Sequence, residues 1–333
     1  MHNFLNVLLV AAIGCAVHCD GVESHAANAL MQRAMTKKFI QIYEPSGILQ
    51  LADGRLLLVE DERTDPFSLC RLEEEDGQLV IGPPVYCRGA GIADDLEGIA
   101  HGPDDWLYAI TSHSRTESGT AESGRQKLLR FKVDEEGRIR QYQEYNDLLM
   151  VILTALKGLD ADLDSLNIEG LGTSRDGKQL LIGLREPVVE GEALILSLEN
   201  PEGLFERGET PQLKPDIIRL WLQGGGIRSI EYIEKLAGYL IANEIEYEGG
   251  KVRAALWFWD GIAGHPACRL EFPSSGKLKN IEGVTLVVTQ GRSLLLLVCD
   301  DGKRQKGDTA HYQFVEFGQL IEVAARGEDL SGR

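Results

Sequence analysis

The chain has 333 residues, with 34 Lys and Arg against 52 Asp and Glu and a formal net charge of −18. That acid excess argues against nucleic acid, whose phosphates need clustered cations, and equally against anionic membrane surfaces. An apolar content of 43% supports a sizeable core, and a β fold of this length is often a single domain.

The first apolar stretch, residues 4–17, is too short to span a bilayer as a helix. Its length suits a signal-peptide core, and Ala12-Ile13-Gly14-Cys15 has the form of a lipoprotein cleavage box, but no Lys or Arg precedes it. The competing reading starts translation at Met31 or Met35, because MTKKFIQIY leads straight into the body. The expected division is an N-terminal segment over 1–34, a body over 35–320 and a C-terminal tail over 321–333. No transmembrane segment is expected. The cytoplasm is the favoured compartment, with export as a lipoprotein the alternative. Outside the leader, Cys70, Cys87, Cys268 and Cys299 show no CxxC pair, which speaks against zinc and for free thiols.

A tripeptide then recurs along the body: Ser46-Gly47-Ile48, Glu97-Gly98-Ile99, Glu169-Gly170-Leu171, Arg228-Ser229-Ile230 and Glu282-Gly283-Val284. Each copy is followed, after a polar turn, by an apolar run: LLLVEDE, LYAITSH, LLIGLRE, YLIANE and LLLLVCDD. Asp-Gly and similar pairs punctuate the runs, as hairpins demand. The second copy shows the unit best, with EGIAH, WLYAITSH, KLLRFKV and RIRQYQEY as four antiparallel strands. The first copy reads SGILQL, LLLVE, SLCRLE and LVIGPPVY, and the fourth reads RSIEYI, YLIANE, ALWFWD and ACRLEF. Such repeats predict an all-β fold: a β-propeller of about five four-stranded blades, six if the long second-to-third step hides another. The fifth copy lacks a fourth strand, which KKFIQIY can supply to close the ring and remove its open edges. NDLLMVILTALKGL, in the long step, predicts one helix near 147–157, with Asn146 or Asp147 as cap and Gly158 as stop. Trp257 and Trp259 alternate on a strand and are expected to pack between blades.

Strands one and two are antiparallel, so the start of one lies beside the end of the other on a single rim. This gathers Glu97 with Ser112, His113 and Arg115, and Glu169 with Arg185 and Glu186. It likewise gathers Arg228 with Asn243 and Glu244, Glu282 with Asp300 and Asp301, and Glu44 and Ser46 with Glu60, Asp61 and Glu62. Crowded carboxylates raise one another's pKa unless cations compensate. One expectation is a hard-cation site, calcium first, built from Glu97, Glu169, Glu282, Asn243 and Asp300. The other is a set of structural Arg–Glu clamps made by Arg185 and Arg228. Asp160, Asp162 and Asp164 alternate as in a calcium loop, but Ser165 and Leu171 stand where its Gly and Glu belong, so the run reads as solvated. No GxSxG elbow, HExxH, Walker loop or dinucleotide fingerprint occurs. His113, beside Glu97, is the expected general base.

The residues that carry these readings also carry a resemblance. EPSG with LADGRLLLVEDE, DLEGIA with SHSR, RQKLLRF, NIEGLG with LLIGLREPV and EALILSL, GGGIRSIEY, WFWDG and LLLLVCDDG follow one another from Glu44 to Gly302. In this order they resemble the bacterial domain-of-unknown-function family 3616, for which no activity is established. More distantly, the EGI and EGL strand starts are similar to those of phytase-like esterase and gluconolactonase-type propellers. That resemblance implies a divalent metal in the channel mouth, held by Glu97, Glu169 and Glu282 by motif and by Asn243 and Asp300 by position.

The expected function is therefore a metal-dependent hydrolase of a small ester, lactone or phosphoester. In it His113 is the base and Arg185 or Arg228 stabilises the developing negative charge. The alternative is a non-catalytic binding or scaffold propeller. The expected partners are a small-molecule ligand or divalent cation at the mouth, or a protein on the rim loops.

Overall fold

The computed structural model describes residues 36–61, 66–116, 118–247, 249–272 and 279–322. The leader reading over 1–34, Glu62 and residues 323–333 of the expected tail lie outside the described residues.

The described strands form five blades. Lys37–Lys38 is β1. Blade 1 holds β2 (Pro45–Gln50), β3 (Leu56–Glu60), β4 (Phe67–Cys70) and, past the hairpin β5 (Leu72–Glu75) and β6 (Gln78–Ile81), β7 (Val85–Tyr86). Blade 2 is β8 (Leu96–His101), β9 (Leu107–Thr111), β10 (Leu128–Val133) and β11 (Ile139–Tyr145). Helix α1 (Leu148–Leu156) follows, and then blade 3: β12 (Asn167–Thr173), β13 (Leu180–Glu186), β14 (Glu192–Leu198), helix α2 (Pro201–Arg207) and β15 (Ile218–Trp221). Blade 4 is β16 (Ile227–Ile233), β17 (Gly238–Tyr247), β18 (Lys251–Trp259) and β19 (Cys268–Glu271). Blade 5 is β20 (Ile281–Thr289), β21 (Arg292–Cys299) and β22 (His311–Glu316), completed by β1. Finally β23 (Ile321–Glu322) pairs with β19 as a fifth strand of blade 4.

The inner strands β2, β8, β12, β16 and β20 touch in that order, and β20 touches β2 again, so the ring is closed. Closure works as expected, with Lys37 paired to Tyr312. Five hydrophobic clusters fill the structure, one in each gap between neighbouring blades. Blades are thus buried on both faces. This is why β3 reads LLLVE without alternation and why all of it is buried. Trp257 and Trp259 belong to the cluster between blades 3 and 4, as expected.

Two local readings change. LVIGPPVY was expected to be one strand, but its first half pairs back on Leu72–Glu75, because Asp76 and Gly77 take positive φ and make a tight turn there. Only Val85 and Tyr86 reach β4. Among the described residues the long step holds no sixth blade. It holds α1, whose Leu148, Ile152 and Leu156 point into the cluster between blades 2 and 3. Among the described residues, no helix is long and apolar enough to cross a membrane.

Candidate functional site at the channel mouth

Every inner strand begins with the same irregularity. Ser46, Glu97, Glu169, Arg228 and Glu282 are each skipped in the pairing of strand one with strand two, so each is the extra residue of a β-bulge. A bulge turns its extra side chain off the pleat and is a common way to aim a functional group. All five are buried where the inner strands converge. A cavity of about 10 Å³ on the axis touches all five inner strands and is lined by Ser46, Glu97 and Glu169 among others. The Gly after the bulge has its own reason. A Cβ on Gly98 would lie 2.7 Å from Leu171 Cβ and 3.0 Å from the Leu171 backbone nitrogen, so only Gly lets β8 and β12 come this close.

The ring therefore presents a hydroxyl, three carboxyls and one guanidinium. Arg228 Nη1 donates to Glu169 Oε2 at 3.2 Å and makes a closer bond to Glu282 Oε1, while Nη2 donates to Glu244 at 2.7 Å. One side chain thus ties blades 3, 4 and 5 together. Glu169 is further held by Arg185 Nη1 at 2.6 Å and by Asn167 Nδ2 at 3.2 Å. Burial raises the Glu169 pKa, with Arg228 and Arg185 pulling the other way. Burial, and then the nearby Glu169 carboxylate, lifts Glu282 well above the usual carboxylate range against the pull of Arg228. Three carboxylates outweigh burial at Arg228 and hold its charge firmly.

Glu97 differs. Among the described residues no hydrogen bond or ion pair reaches its carboxyl. Burial, followed by the Glu169, Glu282, Asp95 and Asp61 charges, pushes its pKa well above the usual range. Asp300, which accepts from Asn280 Nδ2 at 3.0 Å, lies near the ring and is raised to about 6 by burial and by Glu44. The neighbouring acids are spent on structure. Glu60 is bonded by Arg304, and Asp301 accepts from the His311 backbone at 2.9 Å and bonds its Nδ1 at 2.8 Å.

The mouth therefore brings together Glu97, Glu169, Glu282, Arg228, Arg185 and Asp300. It does not bring in His113. That residue has φ +56°, which breaks strand alternation and swings the ring toward α1, where it lines a cavity of about 150 Å³ with Leu149 and Leu153. Its Nδ1 bonds to the Thr111 carbonyl at 2.9 Å, and burial lowers its pKa to about 4. An imidazole so placed is no general base for the mouth. Its neighbours Ser112 and Ser114 turn to Asp95, which also pairs with Arg125 at 2.8 Å, and Arg115 pairs with Asp164 at 3.1 Å.

Asn243 is also turned away. Its Oδ1 accepts from Trp257 Nε1 at 2.8 Å and its Nδ2 donates to the Leu222 carbonyl at 2.8 Å, so it ties β17 to β18 and to the end of blade 3. The five-ligand calcium set of Glu97, Glu169, Glu282, Asn243 and Asp300 thus does not fit. The Arg228 guanidinium stands between Glu169 and Glu282 as their counter-charge, and the amide oxygen is committed elsewhere. Among the described residues no three His, Cys, Asp or Glu side chains converge as metal ligands.

Glu244 was placed on this rim without its bond to Arg228 being foreseen. The sequence does not place Glu231, which lines both the axial cavity and a larger one beyond it. An acidic residue two places after Ser229, on an inner strand otherwise rich in Ile, was the available signal.

Comparison with known proteins agrees with the resemblance read from the motifs. Residues 122–241 match the family described as "Protein of unknown function (DUF3616)". No curated protein matches the chain. Among solved structures it is similar to the PQQ-bound aldose sugar dehydrogenase of Streptomyces coelicolor, with 15% identity over 85% of this chain and 98% of that one and a TM-score of 0.42. It is also similar to the Malassezia sympodialis allergen Mala s 1, at 8% identity over 83% and 92% with a TM-score of 0.48. A streptogramin B lyase aligns at 11% identity over 88% and 99% with a TM-score of 0.37.

Proposed function

We propose that the channel mouth is the working site of a hydrolase for a small ester, lactone or phosphoester, with the Glu97 carboxyl moving the proton. The observation that supports this is the contrast within the ring: Glu169 and Glu282 are both bonded to Arg228, whereas Glu97 is buried, crowded and, among the described residues, without a hydrogen-bond or ion-pair partner. A carboxyl held protonated above its usual range is suited to donate a proton near neutral pH. In this reading Glu97 gives its proton to the leaving oxygen as that oxygen's bond to carbon or phosphorus breaks. Water supplies the new oxygen and returns a proton to Glu97. Arg185 is the cation placed to meet negative charge on the substrate, because 43% of its side chain is exposed and, among the described residues, its side chain bonds Glu169 alone. It borders an open rim cleft of about 470 Å³, shared with Arg115 and Asn167. Arg228 keeps the clamp role.

A second reading, a non-catalytic binding or scaffold propeller, is favoured by the Arg228 bonds that join three blades. Assay of the full chain against a panel of esters, lactones and phosphoesters separates the two. The hydrolase reading expects turnover that Glu97→Gln lowers by about 10²–10⁴-fold, with folding intact. Absence of turnover over the whole panel leaves the binding propeller.

A further inference from the structure

The inner strands start at the mouth and run away from it, so their far ends frame a second opening. Here a cavity of about 330 Å³ lies among the ends of β8, β12 and β16, with Leu49 of β2 also in its wall. One part of its wall is apolar, from Leu49, Ile99, Leu171 and Ile230. Half-buried Glu231 lies in this wall. Its Oε1 accepts from Thr285 Oγ1 at 3.1 Å, and the Leu286 backbone N–H also donates to the carboxyl. Among the described residues no Lys or Arg bonds it. The other charged or titratable groups around this cavity are His101 at the end of β8, Arg175 and Asp176 in the turn after β12, and Tyr232. On the mouth side, Glu97 and Glu169 share the axial cavity with Glu231.

We infer that this far opening is a binding site for a small primary ammonium compound, its cation on Glu231 and its short aliphatic tail along Ile99, Leu171 and Ile230. The chemistry follows from the pairing of the Glu231 carboxyl with the apolar side chains beside it. A desolvated carboxyl with no cation bonded to it becomes neutral by taking a proton or by taking a cation. Burial raises Glu231 to about 8, so the proton is held near neutral pH and an ammonium must displace it. Binding is then linked to proton release. The inference stands independently of what the mouth does.

Butylammonium chloride is the probe, titrated calorimetrically into the full chain at pH 6, 7 and 8 and matched ionic strength, with butanol as the neutral counterpart. The expected association constant rises about tenfold from pH 6 to pH 7 and levels off above pH 8. Glu231→Gln removes both the binding and its pH dependence. Thr173→Trp, at the lip of the cavity, weakens binding by blocking the tail while Glu231 stays in place. The site is overturned by butylammonium binding that is absent or independent of pH, by butanol binding as well as the ammonium does, or by binding that Thr173→Trp leaves unchanged.

Discussion

Glu97 and Arg228 occupy equivalent bulges on inner strands two blades apart, yet Arg228 bonds three carboxylates while, among the described residues, no side chain bonds the Glu97 carboxyl. The ring is thus divided. On the side of blades 3, 4 and 5 the carboxyls are bonded to Arg228 and the blades are clamped. On the side of blades 1 and 2 a buried acid has no cation bonded to it among the described residues, and burial raises its pKa. Clamp and unpaired acid are made from the same repeat position, and only the residue that fills it differs.

Removing the clamp should be costly. Arg228→Met leaves Glu169 and Glu282 buried without their shared cation, and loss of one partner from a buried ion network costs about 3–5 kcal/mol. The loss should be largest near neutral pH and should shrink on acidification, as both carboxylates take up protons. Denaturant unfolding of the full chain at pH 5 and pH 8 checks this, and equal losses at the two values would contradict it.

Glu97→Gln should do the opposite. The folded pKa of Glu97 lies above its unfolded value, so its contribution to stability is complete below about pH 4.5 and fades as pH rises through the folded pKa. A neutral amide has no such loss. The variant is expected to match the parent near pH 4 and to exceed it at pH 8 by on the order of 1 kcal/mol. A variant that is less stable than the parent at pH 8 would mean that the carboxylate has a favourable partner.

Calcium should not raise the melting temperature through the five predicted ligands. Arg228 is already bonded to both Glu169 and Glu282, and Asn243 is bonded to Trp257 and Leu222. The check is a melt of the full chain with calcium and with chelator. A stabilisation that Asn243→Ala and Glu282→Gln both abolish would restore the metal site.

How much of this was legible follows from what a repeat can record. The start of each inner strand, the closing strand from KKFIQIY and the helix after Asp147 leave local signals in turn residues and apolar spacing. Where the rim residues point does not. Asn243 and Glu244 are adjacent on β17, and alternation alone sends one inward to Trp257 and the other to Arg228. The left-handed φ of His113 carries no mark in SHSR, so the imidazole was expected beside Glu97 and lies against α1 instead. β23 rests on a contact with a strand some fifty residues earlier, which no local pattern announces.

The tripeptide's glycine makes a structural demand of its own. Gly98→Ala puts a methyl 2.7 Å from Leu171 Cβ and 3.0 Å from the Leu171 backbone nitrogen, and the backbone of β12 cannot step aside as a flexible side chain would. Overpacking of this kind costs about 1–3 kcal/mol. Because β8 and β12 carry Glu97 and Glu169, the same shift should also disturb the ring. Unfolding of the variant measures the first effect, and a change in the pH dependence of its stability relative to the parent measures the second.

His113 provides a final test, with the pH sign reversed. Its folded pKa of about 4 lies below the ordinary value of 6.5, so the unfolded chain binds the extra proton first as pH falls. Stability from keeping this ring neutral is complete above pH 6.5 and is lost as pH drops toward 4. Asn tolerates the left-handed backbone at this position, and its amide can donate to the Thr111 carbonyl as the imidazole does. His113→Asn should therefore fold, flatten the loss of stability between pH 6.5 and 4, and leave any turnover at the mouth within a few-fold of the parent. If the substitution instead abolished turnover while the fold survived, the imidazole would have to reach the mouth, and its placement against α1 would be wrong.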